Sequence, residues 1–154
     1  MKNMERLYRE IIEGAGDAII FSDGEGKIRL WNRGAERIFG FSKEEALGAS
    51  LDIIIPEKLR ERHWEGYARS METGQTKYGD SLLGVPALRK GGERISIEFT
   101  VVMIFDDEGK PEGVAAIIRD VTERFLREKE LKRRLEEAEG RERRDSYPGE
   151  CSFF

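Results

Sequence analysis

The sequence is poor in the residues on which many chemistries depend. Cys151 is the only cysteine among 154 residues and lies almost at the C-terminus. That position leaves no internal disulfide framework, no cysteine-rich zinc site and no thiol nucleophile in a core, and it fits a reducing, cytoplasmic compartment. Long hydrophobic runs are missing as well. The longest, Val101 to Phe105 and Val114 to Ile118, are far short of a membrane span, as is Ile53 to Ile55 with Leu51 nearby, and the first residues lack the apolar stretch of a signal peptide. Any membrane tether is therefore expected to belong to a longer parent protein. An excess of one charge is also absent, with 27 basic against 31 acidic residues and a net charge of -4, so no global field recommends nucleic acid or an anionic membrane. There is no phosphate-binding loop, no triad of nucleophile, base and acid, and no second histidine for a metal site. No catalytic function is expected. The length allows one domain with one core plus some flanking sequence.

Among what is present, His63 stands out as the only histidine, near the centre of residues 56–78. Read as a helix, Leu59, His63, Tyr67 and Ser70 or Met71 recur at spacings of four, four, and three or four. This spacing puts the imidazole on the inward, mostly apolar stripe. Pro56 suits the first helical turn and Gly74 its end. From chemistry alone, His63 is either a core residue or the nitrogen ligand of a bound cofactor.

Met4, Leu7, Tyr8, Ile11 and Ile12 predict an amphipathic helix over residues 1–14, closed by Gly14 and Gly16. Two strand-like segments at residues 18–21 and 28–31 flank a turn-rich hexapeptide and predict a hairpin. Asn32 can cap a helix that stops at Gly40, and Ser42 to Glu45 forms a capping-box start for another ending at Gly48. Beyond Ser81 the period changes to two. Leu83, Val85 and Ala87 alternate, and Ile95, Ile97, Phe99, Val101 and Met103 share one face of a long strand. The other face of that strand, with Ser96, Glu98 and Thr100, is expected to be wet. Residues 113–118 form a last apolar strand. Strands at both ends with helices between them predict an α+β fold, an antiparallel sheet covered on one face.

Residues 15–122 are thus the expected domain, with residues 1–14 as a flanking helix. Val121, Phe125, Leu131 and Leu135 run through a charged stretch over residues 123–139, which predicts either a surface helix or the start of a two-stranded coiled coil. Residues 140–154 have no periodicity and predict a disordered tail.

The residues Asp17 to Asp23, Ile28 to Gly48, the Ile55-Pro56 step, Arg89-Lys90-Gly91-Gly92 and the closing Ile118 to Arg124 together resemble a PAS domain. The resemblance covers residues 8–124 and implies a five-stranded antiparallel sheet cupping a pocket, with helices over the open side. Within that family, the run from Arg60 through His63 to Tyr67, then Thr73-Gly74, resembles the heme-binding PAS domains of FixL-type oxygen sensors and of carbon-monoxide-sensing regulators. The resemblance implies heme b with His63 as the iron ligand, Arg69 and Lys77 near the propionates, and Tyr67, Leu83, Ile97, Phe99, Val101, Val114 and Ala116 about the pocket. At Leu83 the oxygen sensors have an arginine that hydrogen-bonds bound oxygen. An apolar Leu83 departs from that pattern and turns the expectation toward carbon monoxide.

A sixth iron ligand, if present, would be Met103 on the strand or Met71 on the helix. The expected function is a sensor of a diatomic gas (CO, O2 or NO) or of redox state. It would relay the signal to a histidine kinase or transcription-regulator output, and form a homodimer through the terminal helices. Two alternatives stay open at this point: a noncovalent flavin (FAD) in a redox-sensing PAS domain, and a cofactor-free dimerisation module. A flavin photoreceptor of the cysteine-adduct kind is excluded, since no core cysteine exists.

Overall fold

A computed structural model describes residues 2–76 and 81–140. Lys77 and the expected tail from residue 141 lie outside the described residues. The chain runs through helix α1 (Lys2–Gly14), strands β1 (Ala18–Asp23) and β2 (Ile28–Trp31), and helices α2 (Arg33–Phe39) and α3 (Lys43–Ala46). A 3-10 turn (Leu51–Ile54) leads into helix α4 (Glu57–Thr73). Strands β3 (Leu83–Leu88), β4 (Arg94–Phe105) and β5 (Pro111–Asp120) and helix α5 (Thr122–Ala138) follow. The five strands form one antiparallel sheet in the order β2-β1-β5-β4-β3, which sets the last strand beside the first.

Local chemistry explains the turns. Asp23 Oδ1 accepts hydrogen bonds from the backbone N–H groups of Glu25 (2.9 Å) and Lys27 (3.0 Å) and so closes the β1–β2 hairpin. Asp106 Oδ1 repeats the device between β4 and β5, accepting from Glu108 and Lys110, each at 2.9 Å. The capping box of α3 forms as expected, with Ser42 Oγ accepting from Glu45 N and Glu45 accepting from Ser42 N. This helix is a single turn that ends at Ala46 rather than Gly48, because Leu47 returns to extended backbone.

Asn32 does more than cap α2. Its Oδ1 accepts from Ile19 N (2.8 Å) and Ala35 N (2.9 Å), and its Nδ2 donates to Ile12 O (2.7 Å) and Asp17 O (3.1 Å). One buried amide therefore joins the end of α1, strand β1 and the start of α2.

On β4 the alternation is as the sequence predicts, with Ile95, Ile97, Phe99 and Val101 buried against the helices. The expected wet face is only partly polar. Val102 and Ile117 are 47% and 41% exposed on the outer side of the sheet, with Ile19 and Phe21 half-buried there. Helix α1 likewise leaves Met4, Leu7, Tyr8 and Ile11 exposed, and α5 leaves Leu126, Leu131 and Leu135 exposed.

Candidate functional site

The site is built between α4 and the inner face of the sheet. Helix α4 is fixed at its start: Arg60 Nε donates to Ile55 O (2.9 Å), and a second guanidinium nitrogen of Arg60 reaches Asp52 O (3.3 Å). One turn on, Trp64 Nε1 donates to Asp52 Oδ1 (2.7 Å). The Trp64 indole lies over Gly26 in the β1–β2 turn, where a Cβ would collide with the ring and where φ is +78°. A glycine is therefore required for α4 to approach the hairpin. The helix ends at Gly74, whose left-handed backbone (φ 76°) caps Ser70 O.

These anchors leave His63, Tyr67 and Ser70 pointing into the protein, all buried. His63 is 1% exposed, and its ring meets Trp64 edge-on at 4.5 Å and Tyr67 at 5.7 Å. Burial pushes its pKa down to about 4, with the negative charge of Asp52 opposing the shift. The imidazole is thus neutral across the physiological range, the form in which histidine ligates a metal. Burial also pushes the Tyr67 phenol up to about 12, and that group stays a neutral hydroxyl.

His63 forms part of the wall of a cavity of about 20 Å³. Of the residues expected about the pocket, Ile97 and Phe99 from β4 and Val114 and Ala116 from β5 line this cavity with it. Tyr67, Leu83 and Val101 are buried beside the cavity without forming its wall. Tyr67 is drawn aside by hydrogen bonds to β1. Leu83 sits opposite Phe99 on the neighbouring strand. Met103, opposite Val114, is half-buried against the core and outside the wall. Arg69 is exposed on α4, six residues from His63 and so well round the helix from it.

Sequence reasoning missed Ile20, Ser22 and Ile118, and also Leu51, Ile54 and Ile55, all of which line the cavity. The signal for the strand residues was present, since Ile20 and Ser22 share a face of β1 with Ala18, and Ile118 follows Val114 and Ala116 at period two. Leu51, Ile54 and Ile55 come from the short apolar run, which has no period of its own and becomes a wall only through the 3-10 turn.

The cavity strand also holds the outgoing helix. Between the inward residues of β4, Ser96 N donates to Thr122 Oγ1 (2.9 Å) and Ser96 O accepts from Val121 N (2.9 Å). Asp120 Oδ1 accepts from Thr122 N (2.9 Å) and from its hydroxyl (2.5 Å), and Glu98 forms an ion pair with Arg124. Cavity wall and α5 anchor are alternate residues of one strand.

A sheet cupped by helices around a buried cavity, with a helix held to its central strands, is the architecture of a sensory module. The family model described as PAS fold matches residues 6–121, and the chain belongs to that family. Among its relatives is the sensor protein FixL of Bradyrhizobium diazoefficiens, 30% identical over 125 residues that cover 80% of this chain and 24% of that protein. The oxygen sensor protein DosP of Escherichia coli is 26% identical over 105 residues, covering 68% of this chain and 13% of that one. The chain spans at most a quarter of the length of these relatives. A crystal structure of a PAS domain from Colwellia psychrerythraea superposes with a TM-score of 0.68 at 26% identity, covering 78% of this chain and 98% of that one. An RNA-binding Light-Oxygen-Voltage receptor reaches a TM-score of 0.71 at 18% identity over 86% of this chain and 37% of that one, a likeness of fold alone. No described helix is long and apolar enough to cross a membrane.

Proposed function

We propose that this PAS domain is a gas or redox sensor that binds heme b through His63. The observation that carries the reading is the buried imidazole, held neutral by its surroundings, in the wall of an otherwise almost wholly apolar cavity. The kinship with FixL and DosP supports it. The donor chemistry fits heme, which needs one axial nitrogen and apolar faces to bury. The volume fits only after a movement, because about 20 Å³ is room for one water-sized molecule. Helix α4 and the sheet must part to admit a macrocycle.

In this account His63 holds the iron, and Ile97, Phe99, Val114 and Ala116 supply the apolar walls and exclude water. Arg69 and Lys77 are assigned to the propionates as two cations for two carboxylates. When bound, heme supplies the iron at which a diatomic gas or a change of redox state registers. Leu83 offers no hydrogen-bond donor beside Phe99, which favours carbon monoxide over oxygen as the signal. Displacement of Ile97 or Phe99 is passed to Ser96 and Glu98, and from these to α5. The ligand biases α5 only as far as it binds the two positions of the strand differently. The output would be a histidine kinase or transcription regulator. The exposed apolar residues of α1 and α5 support a homodimer through the terminal helices. Titration with hemin, followed by visible absorption in the wild type and in His63→Ala, tests the reading.

The closed cavity favours a second reading, a dimerising PAS module that holds no cofactor. In that case His63 is a packing residue and neither protein takes up hemin specifically.

A further inference from the structure

We propose that the hydroxyl groups of Tyr67 and Ser22 form a latch that keeps α4 closed over the cavity and sets the rate at which a ligand enters. The hydrogen bonds that tie α4 to β1 converge on Tyr67 Oη, which donates to Asp23 O (2.5 Å) and lies 2.9 Å from Ser22 Oγ. A phenol has a single proton. With that proton on the Asp23 carbonyl, the Ser22 hydroxyl must donate to the Tyr67 oxygen, and its other acceptor is Val114 O at 3.5 Å. Ser22 lines the cavity, whereas Tyr67 sits one helical turn beyond His63. The latch is therefore at the edge of the space that a ligand must enlarge.

The two halves of α4 are held differently. Arg60 and Trp64 tie the first half to the 3-10 turn through Ile55 and Asp52. The second half, residues 67–73, is tied to β1 by Tyr67 and leaves the helix through the left-handed Gly74. Between them lies Gly66, a residue poorly suited to a helix interior and a natural place for bending. Releasing Tyr67 removes the polar tie of the second half and leaves it the packing of Met71 near Gly24 and of Gly74 near Phe105 and Pro111, while the first half stays anchored. Both hydroxyls belong to side chains that are only 2% exposed, where an unmade hydrogen bond is costly, so the latch is either fully made or fully exchanged for other partners.

The latch rests on the cavity and its wall, and only the hemin arm of its test rests on the heme reading. Backbone hydrogen exchange is measured on the full chain without added cofactor, for the wild type, Tyr67→Phe and Ser22→Ala. In Tyr67→Phe the amides of residues 67–74 exchange roughly tenfold faster while those of β4, β5 and residues 57–63 keep their rates. Ser22→Ala, which keeps the bond to Asp23, accelerates the same amides less. Unchanged exchange, or equal acceleration across helix and sheet, overturns the latch. Stopped-flow mixing with hemin adds a second readout, with uptake several-fold faster in Tyr67→Phe. Local acceleration in a protein that takes up no hemin leaves the latch standing and removes the heme reading. Hemin uptake at the wild-type rate with unchanged exchange does the reverse.

Discussion

Phe99 and Glu98 are neighbours on β4 that face opposite ways, Phe99 into the cavity wall and Glu98 to Arg124 on α5. The strand is thus a lever with the ligand space on one side and the outgoing helix on the other. Exposed ion pairs of this kind stabilise a fold by about 0.2–1 kcal/mol, so Arg124→Ala should change global stability by less than about 1 kcal/mol. Its effect should appear at the junction, as faster hydrogen exchange in the first turn of α5. A loss of several kcal/mol in urea unfolding would mean that the pair is structural rather than a coupling between strand and helix.

The buried imidazole makes stability depend on pH. The folded pKa of His63 is about 4 and its ordinary value 6.5, so the unfolded chain takes up the proton first as pH falls. The stability that His63 contributes is complete above pH 6.5 and is lost progressively toward pH 4. The gap corresponds to about 3 kcal/mol at most. Urea unfolding across this range should show a difference between wild type and His63→Ala that narrows as the pH falls. Parallel curves would show that the imidazole is not shielded from solvent.

Asn32→Ala removes four hydrogen bonds at once and leaves the backbone groups of Ile19, Ala35, Ile12 and Asp17 without that partner. Leaving several buried groups unsatisfied should cost about 3 kcal/mol in chemical denaturation. A change below about 1 kcal/mol would mean that water replaces the amide.

The hairpin, the alternation along β4 and the entry and exit of α4 were legible because each is a local pattern: Asp–Gly turns, period two, and a proline and glycine that bracket a helix. Asn32 was legible only as a cap, since its bonds to Ile12, Asp17 and Ile19 depend on chain segments brought together by folding. For the same reason the Tyr67–Ser22 contact, across 45 positions, was not legible. The orientation of His63 was readable from helical spacing. The size of the cavity was not, because it depends on how closely α4 lies against the sheet. Arg69 could be placed on the helix but not shown to approach a cofactor, and it faces solvent.

The uncovered apolar residues of α1 predict association. Replacing Leu7 and Ile11, 42% and 58% exposed, by glutamate should leave the fold intact and shift sedimentation from dimer to monomer. A wild type that sediments as a monomer at all concentrations would remove the dimer from the account.

The central claim is that His63 holds an iron porphyrin. The visible absorption spectrum of the purified protein, as isolated and after addition of hemin, tests it beside His63→Ala. The account predicts a strong Soret band in the wild type that shifts or collapses in the variant. A wild type that takes up no hemin, or one whose band is the same in His63→Ala, would contradict it.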